Sequence, residues 1–178
     1  MLKRSLRTDI FLAFILLFAG VNLTGWKNVL PFLTKNFTLA FYPLLTIAFL
    51  LLIVFYFIGK KRKSGFLFGF HFWLTLLVYP LWALIQQLIV ILLVYLPVFK
   101  LSNSPLVAVF FGSLFFAALH LPNFKFFLAT LFGELIFLTV FSQTGNILAV
   151  AICHSLIAPS YYFWVHGDDV LKRRFAGR

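Results

Sequence analysis

Three side chains in this sequence are placed to do chemistry: His120, Glu134 and His154. They stand in three consecutive apolar segments within residues 112–164. An ionisable group inside a membrane helix costs a few kcal/mol on insertion scales, so it needs a partner, a cavity or a role. Glu134 is the sole acid between Asp9 and Asp168, set in the run LFGELIF. A carboxyl there is either protonated or paired, and its natural partners are the two histidines. Gly133 beside it is expected to let a neighbouring backbone come close. His154 falls near the middle of its segment. His120 falls near the end of its own, four residues after Phe116 and therefore on the same helix face. Gln86 and Gln87 form a further polar pair in an apolar run. Adjacent helical residues project about 100° apart, so both cannot face one neighbour equally; they read as interhelical hydrogen-bonding groups or as the lining of a polar cavity. His71 and His166 read as interfacial or tail residues, and Asn123 and Asn146 as turn residues. Ser155 is too close to His154 in sequence to form a nucleophile–base pair with it, and no acid is placed to orient one.

The elements that must hold these groups are membrane helices. Of the 178 residues 63% are hydrophobic and 11% charged, with 26 Phe, against about 25% charged in a soluble domain. The fold class is therefore all-α polytopic, a single membrane domain over residues 1–178. Residues 1–65 supply two spans and a basic loop, residues 66–166 the core with the polar groups, and residues 167–178 a basic tail. Apolar runs predict spans over residues 10–25, 37–59, 81–97, 105–121, 124–142 and 147–165, about six in all. The run from residue 65 to 99 is about 50 Å long as a helix, more than one upright crossing of a ~30 Å core needs. Pro80 predicts a kink or break there, with residues 66–79 in the interface or forming a tilted first half. Pro105 suits a helix start.

With the amino terminus inside, the two chain ends and the loops near residues 60 and 123 hold 12 of the 15 Lys and Arg residues. Outside lie Lys27, Lys35 and Lys100. The positive-inside rule thus predicts that both termini are cytoplasmic. The net charge of +11 lies at span edges, where it meets anionic headgroups; the partner it implies is membrane lipid and not nucleic acid. Cys153 is the sole cysteine, which excludes an intrachain disulfide and a metal-binding cysteine cluster.

The spacing of the polar groups resembles the CPBP intramembrane proteases, also called the CAAX-protease or Abi family. Their pattern is Glu-Glu-x-x-x-Arg in one span, Phe-x-x-x-His in the next, and a late His-x-x-x-Asn. Here PLWAL is followed closely by Gln86 and Gln87; SLFFAALHLPN carries Phe116 and His120; and TGNILAVAICHSLIAP carries His154. The resemblance covers roughly residues 77–160. It implies a CAAX-protease-like helical bundle and an endopeptidase acting on a membrane-associated peptide or protein. His120 and His154 would hold and activate a water, with Gln86, Gln87 and Phe116 toward the substrate. Whether such a site uses a divalent metal such as zinc is left open by the motif; with a metal, His120, His154 and Glu134 would form the ligand set. The departures are specific. Both glutamates are glutamines, the Arg position is Ile91 and the final Asn position is Ala158. An amide cannot take a proton from water, so Glu134 becomes the expected relocated base by elimination. The alternative is a catalytically inactive pseudoprotease that binds a membrane segment in an immunity or chaperone-like role. A small transporter is a third reading, set back by the absence of paired, interrupted half-repeats.

Overall fold

The computed structural model describes residues 6–62 and 68–169, and nearly all of them are helical. Among the described residues there is no strand. Expectations for Lys3 and Arg4, for residues 63–67 of the basic loop and for the tail from residue 170 lie outside the described part, as does the side chain of Trp26. The chain runs through α1 (Leu6–Thr24), α2 (Trp26–Val29), α3 (Pro31–Thr34), α4 (Phe37–Lys61), α5 (Phe70–Val90), a π-helical segment Ile91–Tyr95 and α6 (Leu96–Ser102). It continues with α7 (Pro105–Ala118), α8 (Phe124–Thr144), α9 (Ile147–Ser160) and a second π-helical segment, Tyr161–His166.

Four of these are long and apolar enough to cross a membrane: Phe37–Lys61, Phe70–Ser102, Phe124–Thr144 and Ile147–His166. A fifth is possible where Thr8–Thr24 and Lys27–Thr34 meet at a bend of 91°. α7 has 14 residues, about 21 Å of helix, and falls short of the ~30 Å hydrocarbon core. The outer surface is apolar, with Phe18, Phe70, Leu77 and Leu106 each 74–78% exposed. Such a surface suits lipid and not water. These features make the chain a membrane protein.

The stretch expected to kink or break at Pro80 is one helical run of 33 residues from Phe70 to Ser102. Pro80 sits inside α5. It deprives the Leu76 carbonyl of a partner, but the segment does not divide there. The irregularity comes later, as the π-helical turn just ahead of Pro97. A wider turn absorbs the clash that a proline ring makes with the carbonyl four residues before it.

α9 is the centre of the bundle. Its buried residues, among them Ile147, Ala149, Val150, Ala151, Cys153, His154 and Ser155, occupy all faces, as expected for a helix surrounded by others. α4 and α5 pack on it extensively, and α7 pairs with α8. In lipid there is no hydrophobic drive between helices, so close approach of small residues supplies the packing. Ala40 and Ala48 of α4, Ala83 of α5, Ala108 and Ala117 of α7 and Ala149 of α9 are all fully buried. The closest approach is at Gly112, where an added Cβ would lie 2.6 Å from Leu138 Cδ1. Gly20 plays the same part where α1 crosses the first π-helical segment, at 2.9 Å from Leu92 Cβ. Gly133 does not have the role expected of it. A Cβ there would meet nothing within 4 Å, because it lies off the buried face of α8.

The helix starts are fixed by side-chain caps. Ser104, Asn123 and Asn146 accept bonds from the backbone N–H groups of Val107, Phe126 and Ala149, satisfying donors that a helix start leaves open. Pro105 stands at the first position of α7, as expected. Asn146 does more than turn the chain. It is fully buried, and its Nδ2 donates to the carbonyls of Leu33 (3.3 Å) and Lys35 (2.8 Å). Asn36 Nδ2 donates back to the Thr144 carbonyl at 2.9 Å. These bonds tie the start of α9 to the α3–α4 junction.

Candidate functional site

Gln87, Glu134 and His154 meet inside the bundle. The buried stripe of α5 runs through Ala83, Gln87 and Val90, at helical spacings of four and three. That register turns Gln87 inward and leaves Gln86 partly buried on the flank. On α8 the inward stripe is Glu134, Phe137, Leu138 and Phe141. On α9 His154 lies two turns past the Asn146 cap.

Gln87 Nε2 donates to Glu134 Oε2 at 2.9 Å and pairs with His154 Nδ1 at 3.0 Å. One amide nitrogen therefore joins the carboxyl of α8 to the imidazole of α9. The three side chains are 0%, 1% and 6% exposed in that order. Glu134 Oε1 and Gln87 Oε1 have no hydrogen-bond partner, nor do the buried Gln86 Oε1 and Ser113 Oγ. Aromatic rings wall the imidazole. Phe137 stacks on His154 with centroids 5.4 Å apart, Phe116 meets it edge-on at 5.7 Å, and Tyr79 lies at 6.0 Å.

His120 sits just past the end of α7 and is half-buried. Its ring packs on Phe116 at 5.1 Å, and its Nδ1 lies 3.0 Å from the Phe116 carbonyl. Phe116 thus touches both imidazoles. The sequence-nominated residues Gln87, Phe116, His120, Glu134 and His154 fall in one neighbourhood. Gln87, Glu134 and His154 are hydrogen-bonded to one another, Phe116 and His120 adjoin them through ring contacts, and Gln86 joins neither set.

Glu134, nominated as the base that activates water, has its carboxyl engaged by Gln87 and closed off by helices. His120 is the least buried of the three titratable groups, just past the end of α7. As a metal-ligand set the three residues do not fit. Among the described residues no group of three or more His, Cys, Asp or Glu is arranged to hold a metal ion, His120, Glu134 and His154 included. Glu134 and His154 converge on an amide N–H, and His120 Nδ1 is taken by a backbone carbonyl. Ser155 Oγ donates to the Ile152 carbonyl at 2.6 Å, so it is not poised as a nucleophile.

A second polar contact was not legible in the sequence. His71 Nδ1 pairs with Asp169 Oδ2 across 98 positions of chain, and Arg62 Nη1 donates to the Val165 carbonyl. His166 packs on Phe126 at 4.5 Å. These contacts fasten the end of the last helical run to the starts of α5 and α8 and the end of α4. No single-residue pattern announces a pairing over that separation.

A scan against protein-family models, a search of curated proteins and a search of solved structures each returned no match.

Proposed function

We propose that this chain is an intramembrane endopeptidase homologue of the CPBP kind, built as a CAAX-protease-like bundle of about six crossings with both termini cytoplasmic. Its substrate is a membrane-associated peptide or protein, and its partner surface is lipid. The observation that carries this reading is the meeting of Gln87, His154 and Glu134, joined by one amide, with Phe116 bridging to His120. Residues from three motif-bearing segments lie together inside the bundle, which separate structural roles for each would not require.

Hydrolysis of a peptide bond needs a group to take a proton from water and a donor to hold the carbonyl oxygen as charge builds there. His120, His154 and Glu134 supply the titratable groups, and amide and imidazole N–H groups supply donors. The three groups are not arranged to hold a metal ion.

A second reading is favoured by a specific feature. Gln87 occupies both Glu134 and His154, and all three are at most 6% exposed. A pseudoprotease that binds a membrane segment without cutting it would keep such a closed centre, with the carboxyl and the imidazole held by one amide. The two readings separate in a cleavage assay with purified protein and a library of membrane peptides. An endopeptidase cuts a subset of the library, and His154→Ala abolishes the cutting. A wild-type protein that retains peptides on an affinity support but cuts none in any condition is the binding protein instead.

A further inference from the structure

The hydrogen bonds around the two histidines fix which nitrogen of each ring carries its proton. An amide nitrogen has two hydrogens and no lone pair to offer. Gln87 Nε2 spends them on Glu134 Oε2 and His154 Nδ1. His154 Nδ1 is therefore an acceptor, and the neutral ring carries its proton on Nε2. Glu134 holds this arrangement from the far side: its Oε2 accepts one of the two amide hydrogens, which keeps the nitrogen of Gln87 turned toward both groups. His120 is fixed in the opposite sense. A backbone carbonyl only accepts, so His120 Nδ1, 3.0 Å from the Phe116 carbonyl, carries the proton and Nε2 keeps its lone pair.

We infer that Glu134 is a positioning residue that acts through Gln87 to hold His154 as the Nε2–H tautomer, and that His120, with its free Nε2, is the proton acceptor of this site. His120 is half-buried, whereas Glu134 is 1% exposed; water arriving from the loop end reaches the histidine first. The catalytic consequence rests on the endopeptidase reading; the tautomer assignment does not. In that reaction His120 Nε2 takes a proton from water as the water oxygen bonds to the peptide carbonyl carbon. The carbon–nitrogen bond then breaks, and the proton passes from His120 to the departing nitrogen. His154 Nε2–H is a donor throughout and takes no proton.

The test is nitrogen NMR of histidine-labelled protein in lipid nanodiscs, since ring ¹⁵N shifts distinguish the two tautomers. The wild type shows His154 protonated at Nε2 and His120 at Nδ1. Gln87→Leu and Glu134→Leu both release His154 into a mixture, while Glu134→Gln, which keeps an acceptor oxygen, preserves the Nε2–H form. A wild-type His154 protonated at Nδ1, or one unchanged in both leucine variants, overturns the relay. Should Glu134→Leu fail to fold, Gln87→Leu decides the same point. Cleavage supplies the second arm. His120→Ala loses at least about 100-fold, as removal of a general base typically does, and Glu134→Gln loses roughly tenfold or less. A Glu134→Gln protein as inactive as His120→Ala, with its His154 tautomer intact, returns the base to Glu134. If the wild type cleaves nothing, the endopeptidase reading fails and the tautomer result still decides the relay.

Discussion

Gln86 and Gln87 are adjacent and chemically identical, yet their surroundings give them opposite values. Gln87 satisfies two buried groups at once. Gln86 brings a buried Oε1 with no partner. A buried polar group left unpaired costs about 1–3 kcal/mol, while measured interhelical hydrogen bonds in membranes average nearer ~0.6 kcal/mol. Gln87→Leu strands both Glu134 and His154 and is expected to destabilise by about 1–3 kcal/mol. Gln86→Leu removes an orphan oxygen and is expected to leave stability unchanged or to raise it by up to about 1–3 kcal/mol. Thermal unfolding of the two variants in detergent checks the difference, and equal losses would mean that both amides bond within the bundle. The sequence shows two glutamines about 100° apart on one helix and the need of Glu134 for a partner. It does not show which amide meets it, because that depends on the register of the Ala83–Gln87–Val90 stripe against α8 and α9. The expected partners of Glu134 were histidines, and the amide between them was not foreseen. Asp169, assigned to the tail by its charge, is 8% exposed and paired with His71. Composition places acids at ends but does not reveal long-range partners.

At the scale of the element, glycine separates what sequence can and cannot say. A glycine in a membrane helix invites the idea of a close crossing, but the idea applies only where the glycine lies on the buried face. Gly133 lies off it; Gly112 and Gly20 lie on it. Gly112→Ala pushes a Cβ to 2.6 Å from Leu138 Cδ1, in a side chain that is fully buried and has little room to turn. Overpacking of this kind typically costs about 1–3 kcal/mol. Gly20→Ala meets Leu92 Cβ, an atom fixed to its backbone, and so requires α1 to shift. Gly133→Ala has open space and gains helix propensity, so it is expected to be neutral or stabilising by up to about 1 kcal/mol. The order of unfolding temperatures, Gly133→Ala highest and the other two below wild type, is the measurement. A Gly112→Ala protein as stable as Gly133→Ala would mean that α7 and α8 do not approach as closely as described. Most helix ends were legible, since Pro105, the Leu-Pro-Asn corner at 121–123 and the Gly145-Asn146 turn punctuate the chain. Pro80 does not break the helix in which it stands. A proline inside a long apolar helix can be carried when neighbouring helices support the freed carbonyl, and here the irregular turn falls ahead of Pro97 instead.

For the whole molecule, the helix ends sort into two groups. Arg62, His71, Phe126 and the segment from Tyr161 to Asp169 are joined at one end by the Arg62–Val165, His71–Asp169 and Phe126–His166 contacts. At the other end, Leu33, Lys35, Asn36, Thr144 and Asn146 are joined by hydrogen bonds. Phe32, Tyr95, Phe99, Asn103, Pro105, Phe141 and Gly145 share a cavity there of about 390 Å³. The first end carries Lys60, Lys61, Arg62 and Lys125, and His120 lies there too. The second carries Lys35 and Lys100. Basic residues are retained on the cytoplasmic side during insertion, so the first end is expected to be cytoplasmic and the site to open from that side. This requires the short α7 to count as a crossing. Its ~21 Å is less than the hydrocarbon core, a mismatch that local thinning of the bilayer accommodates at a cost of fractions of a kcal/mol per Å. Reporter fusions after Arg178 and at Ser102 measure the outcome. A cytoplasmic reporter signal at Arg178 and an external one at Ser102 are expected. A second check uses single cysteines at Lys125 and Asn103 in a Cys153→Ser background with a membrane-impermeant thiol reagent on intact cells. Labelling at Asn103 and none at Lys125 is expected. The reverse pattern would place the His120 end outside and move the substrate to the opposite face of the membrane. Labelling of both positions would mean that α7 does not cross, leaving the α7–α8 corner and the α6–α7 turn on one side.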